Sequence, residues 1–387
     1  MSRPRIALLR GAYLGPFETQ NYEPLLESFD VRGYILRQNP FDLEQCRFPI
    51  VVCDFPDARL LGGRSLINAW RTRILGQRYP MPGVNGIVRE SDIVHTFEGW
   101  YAYTRQAANA CERYRVPLVV THWDTLPYEG SVDPKTRQEI AQAYRAASCI
   151  LATTNAARQA LLQEGVPEEK IRLQGMGVDV ERFSPAERDP DLLQRLHLDA
   201  SDFVFLFIGR LAAEKGVREL MYAFKALRQC PGSENAKLLL VGHGPEREWI
   251  RGSAQSWTLQ KAVVLAPPVP YGEIHQWHRL ASVFVFPSVP SASVQEQFGY
   301  ALVEAMSTGR PIITTRNGGI PDIVADAACV IAPGDTDALF KAMAALKENA
   351  GLCRRLGEAA RGRAVEKFST RVVSQNLKRL YCQLCQR

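Results

Sequence analysis

Short, nearly unbroken apolar runs separated by longer amphipathic stretches dominate this chain. In the first half the runs fall at 6–9, 50–53, 92–95, 117–121 and 149–152. In the second half they fall at 204–208, 238–241, 263–265, 283–286, 312–315 and 330–332. Runs of this length without polar alternation are the pattern of strands covered on both faces, and their separation by helical segments predicts parallel, doubly wound sheets. Segments 104–115 and 134–147 are alanine-rich and read as crossover helices. The second opens on Pro134 after Asp133, a favourable first residue behind a capping side chain. The rhythm breaks between 183 and 201, where Ser184-Pro185, Asp189-Pro190 and mixed charges interrupt it. The expected division is therefore an α/β domain over 1–190 and a second α/β domain over 191–365.

Length supports two domains, because 387 residues exceed what one ordinary core accommodates. Hydrophobic content of 46% and charged content of 23% belong to a globular chain rather than a disordered or fibrous one. No run reaches the ~20 apolar residues of a spanning helix, and the opening run is too short for a secretory leader. Nine scattered cysteines then read as reduced thiols of a cytoplasmic protein. The only close pair, Cys382 and Cys385, lacks the partners of a zinc site. The net charge of +6 is concentrated locally. Residues 58–89 carry six arginines and no acid, around Leu66, Ile67, Trp70, Ile74 and Leu75 at nearly helical spacing. That suits either a core helix with a basic face or peripheral contact with an anionic membrane. The tail from Lys347 onward is also basic, but no nucleic-acid-binding module accompanies the charge, so no nucleic-acid partner is expected.

Candidate chemistry lies where runs end, since ligands of doubly wound sheets bind beyond the strands' carboxyl ends. Gly209-Arg210-Leu-Ala-Ala-Glu214-Lys215-Gly216 follows the run at 204–208 and places two cations where a strand gives way to a helix. Helix N-termini offer unpaired N–H groups and a positive dipole end, so this setting suits phosphate. Glu296-Gln-Phe298-Gly299 then opens another helix, with Glu304 two turns in, and carboxylates there suit gripping hydroxyls. Gly318-Gly319-Ile-Pro321-Asp322 follows, and Thr121-His122-Trp123-Asp124 precedes both.

These four motifs in order resemble the retaining glycosyltransferases of family 4, the group 1 glycosyl transferases. The resemblance implies a GT-B fold, two Rossmann-like domains facing across a cleft, with 366–387 as a closing helix that packs back on the first domain. It implies that Arg210 and Lys215 contact the diphosphate of a nucleotide sugar, Glu304 its ribose, and Glu296 the transferred sugar. The backbones of Phe298, Gly299 and Gly209 would approach the phosphates, and the nucleobase would lie near 266–271. His122 would hold the donor from the first domain, as a neutral imidazole able to donate and accept. Glu98 and Asp124 lie on comparable loops and read equally as acceptor-orienting groups or as caps. The implied reaction moves a hexose from a UDP-sugar, UDP-glucose foremost, to a hydroxyl acceptor of a polysaccharide, glycolipid or other glycoconjugate. It would proceed by front-face transfer with retention, without a metal or other cofactor. A lipid-linked acceptor is compatible with the basic segments. A sugar-nucleotide epimerase of the same fold and a non-catalytic sugar-nucleotide-binding partner are the alternatives. The departure from the family is at Gly11-Ala-Tyr-Leu-Gly15-Pro, where relatives carry a glycine pair. Gly15 would take over its close approach to the donor, or the polar and aromatic side chains of this loop would instead shape an acceptor pocket.

Overall fold

A computed structural model of the chain describes residues 3–55, 80–128, 134–291 and 294–386. The chain divides into two compact units, residues 1–177 with 370–387, and residues 178–369. The first holds a parallel sheet of β1 (Arg5–Gly11), β2 (Asp30–Ile35), β3 (Ile50–Val52), β4 (Ile93–Phe97), β5 (Leu118–His122), β6 (Cys149–Ala152) and β7 (Ile171–Leu173). Its spatial order is β3-β2-β1-β4-β5-β6-β7. The second unit holds β8 (Phe203–Ile208), β9 (Ala236–Val241), β10 (Val263–Ala266), β11 (Val283–Phe286), β12 (Ile312–Thr315) and β13 (Cys329–Ile331). Their order, β10-β9-β8-β11-β12-β13, repeats that of the first unit's first six strands. Both sheets are doubly wound and Rossmann-like, as the apolar runs predict, and each reverses its strand order at one point: β1 beside β4, and β8 beside β11.

Burial follows from this layering. Every residue of β4, β5, β6 and β11 is buried, because helices cover both faces. The crossover helices Ala102–Tyr114 and Pro134–Ala146 form where the alanine-rich segments predict them. The proposed cap Asp133 lies outside the described residues, as do Leu66, Ile67, Trp70, Ile74 and Leu75 of the arginine-rich segment. No helix among the described residues is long and apolar enough to cross a membrane.

The units part at Gly177 and Val178, earlier than the expected 190/191. The Pro- and charge-rich stretch that breaks the apolar rhythm is tied down by arginines of the second unit. Arg361 Nη1 donates to the carbonyls of Val180 and Phe183, Arg279 to those of Arg182 and Ser184, and Arg310 to that of Ala186. The closing helix Thr370–Cys385 belongs to the first unit, where it packs on β4.

That packing is keyed by a buried hydrogen bond, Tyr381 Oη to His95 Nδ1 at 2.5 Å, with His95 Nε2 bonded to Thr121 Oγ1 at 2.8 Å. Burial holds the His95 imidazole down at about 3, so the folded ring is neutral. Between about pH 6.5 and 3 the unfolded chain binds a proton that this ring refuses. The contribution of His95 is thus complete above about pH 6.5 and lost as pH falls toward 3. Tyr381→Phe leaves Nδ1 unsatisfied in the core and is expected to destabilise the first unit by about 1–3 kcal/mol. Urea unfolding followed through the first unit checks this, and a change under 0.5 kcal/mol contradicts the keying role.

Candidate functional site

In the second unit three strand ends converge on one carboxylate. After β8 the chain turns through Gly209, Arg210 and a short 3-10 turn, Ala213–Lys215, into the helix Val217–Leu227. Gly216 joins turn to helix with φ +69°, in the left-handed region, and a Cβ there would lie 1.9 Å from the Pro287 carbonyl oxygen. Only glycine lets the two loops pass this closely. Lys215 is thereby presented to the segment beyond β11, where its Nζ donates to Glu296 Oε2 at 2.6 Å. Ser288 Oγ, whose single proton is shared between this oxygen at 3.2 Å and the Glu214 carbonyl at 3.1 Å, in turn accepts from Asn317 Nδ2 at 2.9 Å. Asn317 lies beyond β12 and precedes Gly318, whose φ of +53° and close approach to the Glu296 carbonyl again exclude a side chain. Gly319 N–H donates to that carbonyl at 2.8 Å.

Arg210 stands apart from this network. Its guanidinium is largely exposed and pairs with Glu214, one turn on. The Gly242-His243-Gly244 turn packs on the same loop, the Leu211 N–H donating to the His243 carbonyl at 2.9 Å. Gly299 caps the helix Tyr300–Ser307 with φ +75°. The neighbouring Phe298 ring is buried edge-on to Phe368 and Tyr300, which fixes the backbone at that helix start. Glu304 is buried on this helix, and its Oε2 bonds to Nε2 of the fully buried His278 at 3.1 Å. Beyond β10, the Tyr271 ring lies under the Arg182 guanidinium at 4.6 Å.

In the first unit β5 ends on His122, which is buried. The neighbouring β4 continues into Glu98, whose N–H donates to the Thr121 carbonyl and whose φ is +50°. This register sets Glu98 Oε2 2.9 Å from His122 Nδ1, while Tyr144 Oη lies 3.0 Å from the same nitrogen. Burial pulls the His122 imidazole down, but the Glu98 carboxylate outweighs it and pushes the ring up to about 9. The carboxylate at Nδ1 thus favours the protonated ring over the neutral imidazole read from the sequence. Asp124 is also buried, its Oδ2 accepting from Trp100 Nε1 at 2.8 Å. Gly15 caps the one-turn helix Pro16–Thr19, its carbonyl accepting from the Glu18 and Thr19 N–H groups. Arg10 at the end of β1 is buried with Glu18, both carboxylate oxygens 3.0 Å from its Nε.

Lys215 and Glu296 are therefore brought into contact, Arg210 and Glu304 have other partners, and His122 and Gly15 belong to the first unit. Sequence reading missed Ser288, Asn317, His278 and Tyr144. Ser288 had a signal, since it follows Pro287 at the end of an apolar run. Asn317 had one too, since it directly precedes the Gly318-Gly319 motif, whereas His278 and Tyr144 come near a motif only in the folded sheet.

The two units match separate family models, residues 30–182 that of "Glycosyltransferase Family 4" and residues 189–363 that of "Glycosyl transferases group 1". A D-inositol 3-phosphate glycosyltransferase of Streptomyces bingchenggensis is 28% identical over 297 residues, 72% of this chain and 62% of that one. The putative colanic acid biosynthesis glycosyltransferase WcaL of Escherichia coli is 28% identical over 246 residues, 62% of this chain and 58% of that one. The chain thus spans less than two thirds of the length of these curated relatives. Among solved structures, Anabaena Alr3699/HepE in complex with UDP superposes with TM-score 0.78 at 20% identity, covering 98% of this chain and 100% of that one. WaaG, a glycosyltransferase involved in lipopolysaccharide biosynthesis, superposes with TM-score 0.67 at 18% identity over 96% and 98%.

Proposed function

The chain belongs to the GT-B group 1 glycosyltransferases, and from that premise we propose that it transfers a hexose from a nucleotide diphosphate sugar to a hydroxyl acceptor with retention of configuration. The observation that carries the reading is the convergence of the loops after β8, β11 and β12 on Glu296 and Lys215, at the reversal of strand order where such sheets bind ligands.

Breaking the bond from an anomeric carbon to a diphosphate builds negative charge on the leaving phosphate. Lys215 and Arg210 supply two cations beside the loops that would hold it, so the reaction needs no metal to neutralise that charge. Each has a carboxylate partner, Glu296 for Lys215 and Glu214 for Arg210, and donor phosphate would replace or share those partners. Glu296 has one oxygen engaged by both Lys215 and Ser288. That pairing favours a carboxylate that grips sugar hydroxyls over one that attacks the anomeric carbon. Front-face transfer, with the leaving phosphate accepting the acceptor's proton, is the mechanism that the family resemblance implies and the one proposed for this chain. Glu304 would accept from ribose hydroxyls, steadied by His278, and the backbones of Gly209, Phe298 and Gly299 would face phosphate. His122 and Gly15 are the first unit's own candidates for a ligand contact, as the family resemblance implies.

A UDP-sugar is the first donor to try, because a neighbour of the same fold has been solved with UDP and with UDP-glucose. Titration calorimetry against a panel of nucleotide sugars and free nucleotides, without metal, tests the reading. Selective binding of one nucleotide sugar is expected. Glu304→Ala should weaken it about ten- to hundredfold, the cost of losing hydrogen bonds to a charged group. Binding unchanged in that variant removes Glu304 from the site, and no binding across the panel sinks the reading.

A further inference from the structure

We propose that Glu98 is a positioning residue that holds the His122 ring from its Nδ1 side and turns its Nε2–H toward an oxygen of the ligand. The inference rests on the transfer reading for the identity of that ligand. Its geometry stands on the first unit alone.

Glu98 sits one residue beyond β4 and beside His122 because the β4 and β5 register pairs Phe97 with Thr121. Its backbone adopts φ +50°, which is uncommon for a non-glycine residue and costs about 1 kcal/mol or more. That conformation places one carboxylate oxygen on the Trp123 N–H and the other 2.9 Å from His122 Nδ1. A strained backbone held by two such contacts is over-determined, as expected where geometry serves a site.

The other nitrogen is the second observation. His122 Nε2 is buried and meets no hydrogen-bond partner among the described residues. A buried N–H without an acceptor is costly, so the arrangement calls for an acceptor from outside the fold. With Nδ1 bonded to Tyr144 Oη at 3.0 Å and paired with the Glu98 carboxylate at 2.9 Å, an imidazolium can offer Nε2 only as a donor. A phosphate oxygen or a sugar hydroxyl of the donor meets that need.

Other charged groups face the ring but are spoken for. Asp124, beyond β5, accepts from Trp100, and Glu164, after the helix Asn155–Gln163, accepts from the Tyr128 N–H at 2.6 Å. Tyr144, on the helix Pro134–Ala146, brings a phenol to Nδ1 and accepts from the Gly99 N–H at 3.1 Å. Glu98 is the carboxylate in direct contact with the ring, and burial works against the charge that it sustains.

The test uses the full chain labelled with 15N-histidine, the His122 resonances assigned by their loss in His122→Gln. In the wild type His122 should remain doubly protonated through neutral pH and titrate at about 9. In Glu98→Gln it should titrate at or below an ordinary imidazole, about 6.5, so that its protonated fraction at pH 8 falls about thirtyfold. Turnover at pH 8 should fall by a similar factor and recover on acidification. Glu98→Asp should retain the charge and most of the rate. If Glu98→Gln does not fold, Glu98→Asn suits the positive φ and carries the same comparison. A His122 titration unchanged in the glutamine or asparagine variant overturns the inference, as does a shifted titration that turnover does not follow. Absence of turnover with every donor in the wild type counts against the transfer reading, while the resonance titration still decides what Glu98 does to His122.

Discussion

Lys215→Ala is expected to lower turnover by about two to three orders of magnitude, the usual loss when one preorganised charge is removed from the centre where a leaving group becomes negative. The ammonium is well placed for this. Its backbone is fixed by a one-turn 3-10 element closed by Gly216, and its Nζ is anchored 2.6 Å from Glu296 Oε2. A purely structural ion pair would behave differently. Lys215 is about a quarter exposed, so loss of its pairing alone would appear as modest destabilisation with turnover reduced only in proportion to the folded fraction. Parallel thermal unfolding and steady-state kinetics separate the two. A kcat within threefold of the wild type, at any stability, removes Lys215 from the catalytic machinery. Lys215→Arg is expected to recover little, because a planar fork does not occupy the position of a compact ammonium held by one oxygen.

Strand existence was legible wherever burial on both faces leaves an unbroken apolar run, as at β8 and β11, or a nearly unbroken one, as at β4 and β5. It was not legible at β2 and β7. Asp30-Val-Arg-Gly-Tyr-Ile alternates and carries Gly33, and β7 is three residues with Arg172 at its centre, so neither stands out from loop sequence. Spatial order was invisible too, since nothing along the chain states that β1 lies beside β4. That order decides the site. Glu98 meets His122, and Ser288 meets Asn317, only because the strands that end there are neighbours in the sheets. The charged residues of the motifs could be picked out, because phosphate chemistry limits which side chains serve at a strand-to-helix turn. Their polar supports were harder to see, because they are common residues at no fixed spacing from the group they hold, 8 positions for Ser288, 22 for Tyr144 and 26 for His278. The Glu98 carboxylate beside His122 was hidden for the same reason. An isolated Thr-His-Trp-Asp motif suggests a neutral imidazole, and the carboxylate that charges it comes from another strand.

Gly216→Ala is expected to be the most damaging single-methyl change in the second unit. At φ +69° an alanine costs about 1–2 kcal/mol from its own backbone, before any contact is considered. Its Cβ would also fall 1.9 Å from the Pro287 oxygen and 2.7 Å from the Pro287 carbonyl carbon, which are backbone atoms that cannot rotate away. The loops after β8 and β11 must then separate. They are joined by the Glu214 carbonyl, which accepts from Val289 N–H at 2.9 Å and Ser288 Oγ at 3.1 Å, so separation also strains the Ser288 support of Glu296. A total destabilisation of about 3 kcal/mol or more is expected, together with a loss of turnover approaching that of Lys215→Ala. Gly232→Ala provides the control. It shares the backbone conformation, φ +76°, but a Cβ there meets nothing within 4 Å, so only the conformational cost applies. If thermal unfolding ranks the two variants equal, the close approach of the loops contributes nothing. If Gly216→Ala is the less stable but keeps its turnover, the approach serves folding alone, and the placement of Lys215 against Glu296 does not depend on it.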